Sequence, residues 1–216
     1  MSYTPSTLLN VTLELEDAIF NIGKLALIDR GIYFEYSAAF IASGLEISPL
    51  KLPLKSGAKR MPDPVFEGLF GVFNDSLPDG WGRLLLDRKV QSIGIAPQRL
   101  TPIDRLAYVG TYGMGALSYE PTIALDEARS LIDLSRLASE AVKVLEGEAD
   151  DVVGQLLELS GASAGARPKV MVGVSQDFSS LIHGQQILPS DYAHWMIKFN
   201  SHVDEKHAGR IEYAYS

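Results

Sequence analysis

The apolar residues of this chain pass from a strand rhythm to a helical one and back again, and that change of period limits the fold to a mixed α and β architecture. Through the first sixty residues they alternate loosely, as in "LLNVTLEL" (8–15), "KLALI" (24–28) and "IYFEYS" (32–37), the two-residue period of half-buried strands. Across 126–160 they recur at three and four: Leu134, Leu137, Ala138, Ala141, Val142 and Leu145 form one buried helical face. "RPKVMVGVS" (167–175) and "AHWMIKFN" (193–200) then return to extended patterns, joined by a polar connection containing Gly184 and Pro189. The fold class expected is α+β.

Local signals sharpen the outline. Asp29-Arg30-Gly31 between two strand patterns predicts a β-hairpin, with the glycine taking positive φ. "SPLKLPLKSG" (48–57) reads as a further extended piece, placed at an edge by Pro49 and Pro53. A small antiparallel sheet or barrel would pack these strands. From residue 61 turn formers mix with Phe66, Phe70 and Phe73, which predicts an ordered loop. Asp79 is placed to cap a helix that ends at Gly94. "TPIDRLAYVG" (101–110) predicts a second helix with Thr101 as cap, Pro102 at the first helical position and Asp104 completing a capping box. "GMGALSYE" (113–120) reads as a strand returning to the sheet. Gly147 and Gly161 end two helices of the 126–160 region. The last segment, "DEKHAGRIEYAYS", begins a helix with no terminator, so the chain as given is expected to stop inside a larger fold. Two domains are expected, 1–122 and 123–216.

Composition removes several functions. The net charge of −8 argues against a broad nucleic-acid footprint. There is no cysteine, hence no disulfide, thiolate metal site or cysteine nucleophile. The N-terminus lacks the basic and apolar regions of a leader, and no apolar run approaches the roughly 18–20 residues of a membrane span. A cytoplasmic protein with no membrane partner is expected.

The stretch "GASAGARPKVMV" (161–172) raises the chemical question. Backbone N–H groups approach a phosphate only where side chains are small, and Gly165 between Ala164 and Ala166 allows that approach. Lys169 adds a cation. The pattern is neither a Walker A loop nor GxGxxG, and a plain joint between a helical segment and a sheet fits it too. Lys198 stands in the apolar strand "WMIKF" (195–199). It could point to water from an edge strand. Alternatively, small-residue loop, strand, turn and lysine-bearing strand follow the order of a protein-kinase small lobe, in which that lysine pairs nucleotide phosphates. A helical glutamate then holds the lysine, and Glu205 and Glu212 both lie in the final segment.

"FNDSLPDGWGRLLLDR" (73–88), "GARPKVMV" (165–172), "WMIKF" and "IEYAYS" (211–216) together resemble HipA-type serine/threonine kinases, the toxins of bacterial toxin–antitoxin pairs associated with persistence. The resemblance covers most of the chain and is weakest before residue 40. It implies a β-rich N-terminal subdomain followed by the β-sheet small lobe of a kinase-like fold, with the large helical lobe absent. It implies an ATP-binding loop at Ala164, Gly165, Ala166, Arg167, Pro168 and Lys169, with Lys198 as the catalytic strand lysine that also binds ATP. A loop serine is autophosphorylated in some members. Ser163 lies beside that position, where strict pairing puts Ala162. The cofactor implied is ATP with Mg²⁺. The partners implied are a protein substrate, aminoacyl-tRNA synthetases among the family's targets, and a helix-turn-helix antitoxin of HipB type, through which any DNA association would be indirect.

The catalytic-loop and Mg²⁺-binding aspartates of the family belong to the large lobe, and no HRD-like or DFG-like stretch occurs here. This chain alone is therefore expected not to catalyse phosphoryl transfer and to bind ATP weakly or not at all. The alternative is a non-catalytic interaction module of a split HipA-like system. No metal site is expected. Asp75, Asp79 and Asp87 have no histidine nearby. His183, His194, His202 and His207 lack the spacing that puts two ligands on one helical face.

Overall fold

The computed structural model describes residues 3–16, 18–62, 64–123, 132–147, 153–160, 165–184, 188–200 and 208–215. They form two compact units, one comprising 1–77 and 96–124, the other 78–95 and 125–216. The sequence pattern alone puts all of 1–122 in one domain. The difference is the segment 78–95, whose apolar face packs into the core of the second unit.

In the first unit, β1 (Leu8–Leu15), β2 (Ala18–Ile28), β3 (Gly31–Tyr36), β4 (Lys59–Arg60) and β5 (Leu117–Glu120) make an antiparallel sheet in the order β4-β3-β2-β1-β5. The β2–β3 hairpin forms as expected, but Asp29 (φ 48°) and Arg30 (φ 63°) take the positive φ values rather than Gly31. Gly31 opens β3, where an added Cβ would lie 3.1–3.2 Å from the Tyr33 ring and the Arg60 guanidinium. "SPLKLPLKSG" is not a strand. Its apolar residue Leu52 is a buried anchor, and the Leu52 carbonyl accepts from the Tyr36 hydroxyl at 2.9 Å. The β4 edge strand follows it.

The expected ordered loop contains one 3-10 turn (Pro64–Phe66) and α2 (Gly71–Asn74), preceded in the chain by α1 (Ala38–Ser43). Phe73 is buried with its ring centroid 4.7 Å from that of Phe34, and Tyr36 stacks on Phe40 at 5.8 Å. These aromatic pairs join the sheet to the helical turns.

Residues Pro102–Val109 form a helix, numbered α4 because the segment 78–95 supplies α3 (Gly80–Ser92). The capping box is present as read: the Asp104 N–H donates to Thr101 Oγ1 at 3.1 Å, and the Thr101 N–H donates to Asp104 Oδ2 at 2.8 Å. Asp104 is buried and its other oxygen accepts from the Ser6 N–H at 2.7 Å. Thr101→Ala should therefore lower stability by about 1 kcal/mol, the usual cost of a lost N-cap, measurable as a shifted urea midpoint with unchanged slope.

The second unit has a three-stranded antiparallel sheet, β7-β6-β8, built from β6 (Lys169–Ser175), β7 (Leu181–His183) and β8 (Tyr192–Lys198). The sequence reading has only β6 and β8; β7 lies within what it took as a connection. Helices α3, α5 (Leu134–Glu146) and α6 (Val153–Ser160) cover one face. Trp81 and Leu85, Leu137, Ala141 and Val144, and Leu156 and Leu159 meet Val170, Val172 and Val174 there. The alternation of β6 supplies that valine face. Gly147 ends α5 in the left-handed conformation (φ 90°), as expected. α7 (Ala208–Tyr215) lies in the final segment. The expected cap at Gly161 falls outside the described residues. The chain is mixed α+β with antiparallel sheets, as its rhythms require.

Candidate nucleotide-binding site

The loop before β6 is held by the first turn of α3. Asp79 occupies the N-cap position with extended backbone, yet its carboxylate makes no cap bond to its own helix. Instead Asp79 Oδ1 accepts the Gly165 N–H at 2.7 Å. In return the Trp81 N–H donates to the Gly165 carbonyl at 3.1 Å. Gly165 is thus held through both its N–H and its carbonyl. The approach is so close that an added Cβ on Gly80 (φ 39°) would lie 2.7 Å from Gly165 C and 2.8 Å from Ala166 Cα and N. Only glycine leaves that space. Gly165 itself has φ 107°.

Lys169, the first residue of β6, is buried, and its ammonium donates to the Gly165 carbonyl at 3.2 Å. Burial holds its pKa below the usual lysine value, the negative charge of Asp79 works against that shift, and the positive charge of Lys198 adds to it. Between the lowered folded value and the ordinary 10.5 the unfolded chain binds more protons, so stability from this group rises with pH. Compared with Lys169→Met, the wild-type chain should gain stability in urea unfolding as pH is raised toward 10.5.

Lys198 pairs directly with Lys169 across β6 and β8. Directly opposed residues project from the same face of a sheet, so Lys198 stands on the face that carries Lys169 and the Gly165 loop. That face lies opposite the helices: Val170 pairs with Ile197 and Val172 with Trp195 on the helix side. Lys198 is solvent-exposed on β8, an outer strand of the described sheet. The edge-strand exposure of Lys198 and its pairing with Lys169 hold together in this structure. Two residues further along, Met171 pairs with Met196 on that same face. The Phe199 N–H donates to the Pro168 carbonyl at 2.8 Å, which extends the pairing into the loop.

Of the residues assigned to the loop, Gly165 and Ala166 are exposed, Arg167 is half-buried and Pro168 is buried. Ala164, Ser163 and Glu205 fall outside the described residues, as do His202 and His207. Glu212 lies on α7, with its side chain outside the description. The two lysines fit an anionic phosphate. The Gly165 N–H, which would also suit one, is engaged by Asp79. Among the described residues no group of three or more carboxylates and histidines could hold a metal ion. No described helix is long and apolar enough to cross a membrane.

The sequence reading missed the role of Asp79. It treated this residue as a helix cap, and the position is right, but the side chain is committed across the unit to the loop. The available signal was Gly80, a poor helix former at the first helical position, where a glycine often marks close backbone approach.

Residues 18–120 match the family model described as the HipA N-terminal domain. Over this N-terminal portion the chain is similar to the HipA-like family. Comparison with curated proteins and with solved structures gave no match.

Proposed function

We propose that the chain is the N-terminal part of a HipA-like toxin kinase and that the face bearing Lys169 and Lys198 receives ATP. The observation that carries this reading is the direct pairing of the two lysines beside the Gly165 loop. Two ammonium groups set opposite each other in register make a doubly cationic stretch of the sheet, to which a polyphosphate is complementary. The Met171–Met196 pair supports the reading further. It offers an apolar surface about 7 Å along the strands from the lysines, given the strand rise, where a base can lie while its phosphates reach the cations. When bound, magnesium-ATP supplies the phosphoryl group. Lys198 and Lys169 orient its phosphates, and Ala164 to Pro168 border them. The carboxylates that hold magnesium and accept the substrate proton would come from a large lobe.

Several assignments belong to the same proposal: phosphorylation of serine or threonine on a protein target, a HipB-type antitoxin as partner, DNA contact only through it, a cytoplasmic setting and a role in persistence. Glu205 or Glu212 as the carboxylate beside Lys198, and Ser163 as an autophosphorylation position, belong to it also. A second reading, a non-catalytic module of a split system, is favoured by the family match ending at residue 120, ahead of the loop. Labelled ATP given to the full-length gene product in a lysate separates the two. The kinase reading expects phosphate transfer to a protein, lost in Lys198→Ala; transfer undiminished by that substitution would remove Lys198 from the site.

A further inference from the structure

We infer that Asp79 is a built-in competitor for the phosphate, holding the Gly165 N–H while no anion is bound and turning to cap α3 when one arrives. The inference rests on the nucleotide reading of this face. The Gly165 N–H is a single donor, and the 2.7 Å bond from Asp79 Oδ1 uses it. The neighbouring cation, Lys169, also feels the Asp79 charge. One carboxylate therefore engages both groups that would greet a phosphate oxygen. A phosphate oxygen and the Asp79 carboxylate would compete for one N–H, and like charges at contact distance repel.

The displaced side chain has a place to go. Asp79 already holds N-cap backbone geometry (φ −116°, ψ 175°) and lacks only the side-chain bond to its own helix. A rotation of the carboxylate toward the Gly82 N–H, at the third helical position, would complete an ordinary cap. Asp79 thus has two alternative acceptor roles, across to the loop or down onto α3, and an anion at Gly165 selects the second. Gly80 keeps the two backbones close enough for one short side chain to serve both.

Asp79→Asn tests this directly, because asparagine caps helices as well as aspartate does and carries no charge. Titrating the full-length gene product with ATP and with pyrophosphate, followed by amide NMR and calorimetry, should show about tenfold tighter binding in the variant. In the wild-type chain, saturating ATP should shift the Gly82 amide proton downfield as it gains the Asp79 carboxylate. Equal affinity in both proteins would overturn the competition while leaving the nucleotide site intact. Weaker binding by the variant would make Asp79 a support of the loop instead, and would also overturn it. If neither protein binds ATP or pyrophosphate, the nucleotide reading fails and the inference goes with it. Should Asp79→Asn not fold, the wild-type Gly82 shift decides alone: a Gly82 resonance unmoved at saturation contradicts the exchange.

Discussion

Alanine at position 80 should drive the Gly165 loop off the start of α3 and lower the stability of the second unit by about 2–4 kcal/mol. Its Cβ would fall within 2.7–2.8 Å of three backbone atoms of Gly165 and Ala166, none of which can swing aside as a side chain would. Overpacking of this kind costs about 1–3 kcal/mol. The left-handed φ of 39° adds about 1 kcal/mol for any residue with a Cβ. Separating the loop from α3 also breaks the bond that the Gly165 N–H donates to Asp79 and the bond that the Trp81 N–H donates to the Gly165 carbonyl. Urea unfolding should show the loss, and the Gly165 amide should exchange with solvent faster even under native conditions. An unchanged midpoint would mean that the loop is not seated where α3 begins.

Trp81→Ala should be costlier still, about 3–5 kcal/mol, the range for removing a large aromatic from a close-packed core. Trp81 is 1% exposed and is packed among Leu85, α5, α6 and the valines of β6. The substitution removes one wall of the core that supports the lysine-bearing sheet. Trp81→Phe separates volume from polarity. The indole N–H finds no hydrogen-bond partner among the described residues, so phenylalanine relieves an unsatisfied donor while leaving a smaller void. Its cost should be less than half that of alanine. A phenylalanine variant as unstable as the alanine one would show that the indole N–H is in fact satisfied.

How much of this was legible in the sequence follows from the range of each interaction. The α4 capping box is written within four residues, Thr101 to Asp104, and formed as read. The β2–β3 hairpin is equally local, though which residue took positive φ was not: Asp29 and Arg30 adopt it, consistent with a two-residue turn that needs it at both central positions. "SPLKLPLKSG" misled because apolar alternation in a short stretch can arise from one anchored leucine, Leu52, as readily as from a pleat. β7, three residues long, is too short for any periodicity to register. The site shows the same division. The small-residue loop and the two lysines stand out individually, and the order of a kinase small lobe joins them. Their relation depends on the register of β6 against β8, and the commitment of Asp79 to Gly165 links positions 86 residues apart. Strand register and side-chain destination are set by tertiary packing, so neither has a local signature.

The central claim is that the Gly165 loop and Lys198 meet one nucleotide. Its most direct measurement is an NMR titration of this chain with a non-hydrolysable ATP analogue, following the amides of Gly165 to Lys169 together with the Lys198 side chain. The account predicts that both sets of signals move with a single dissociation constant, in the millimolar range for a site awaiting its second lobe, and that Lys198→Ala abolishes the response of the loop. Loop signals that titrate unchanged in Lys198→Ala, or a response confined to the first unit, would contradict it.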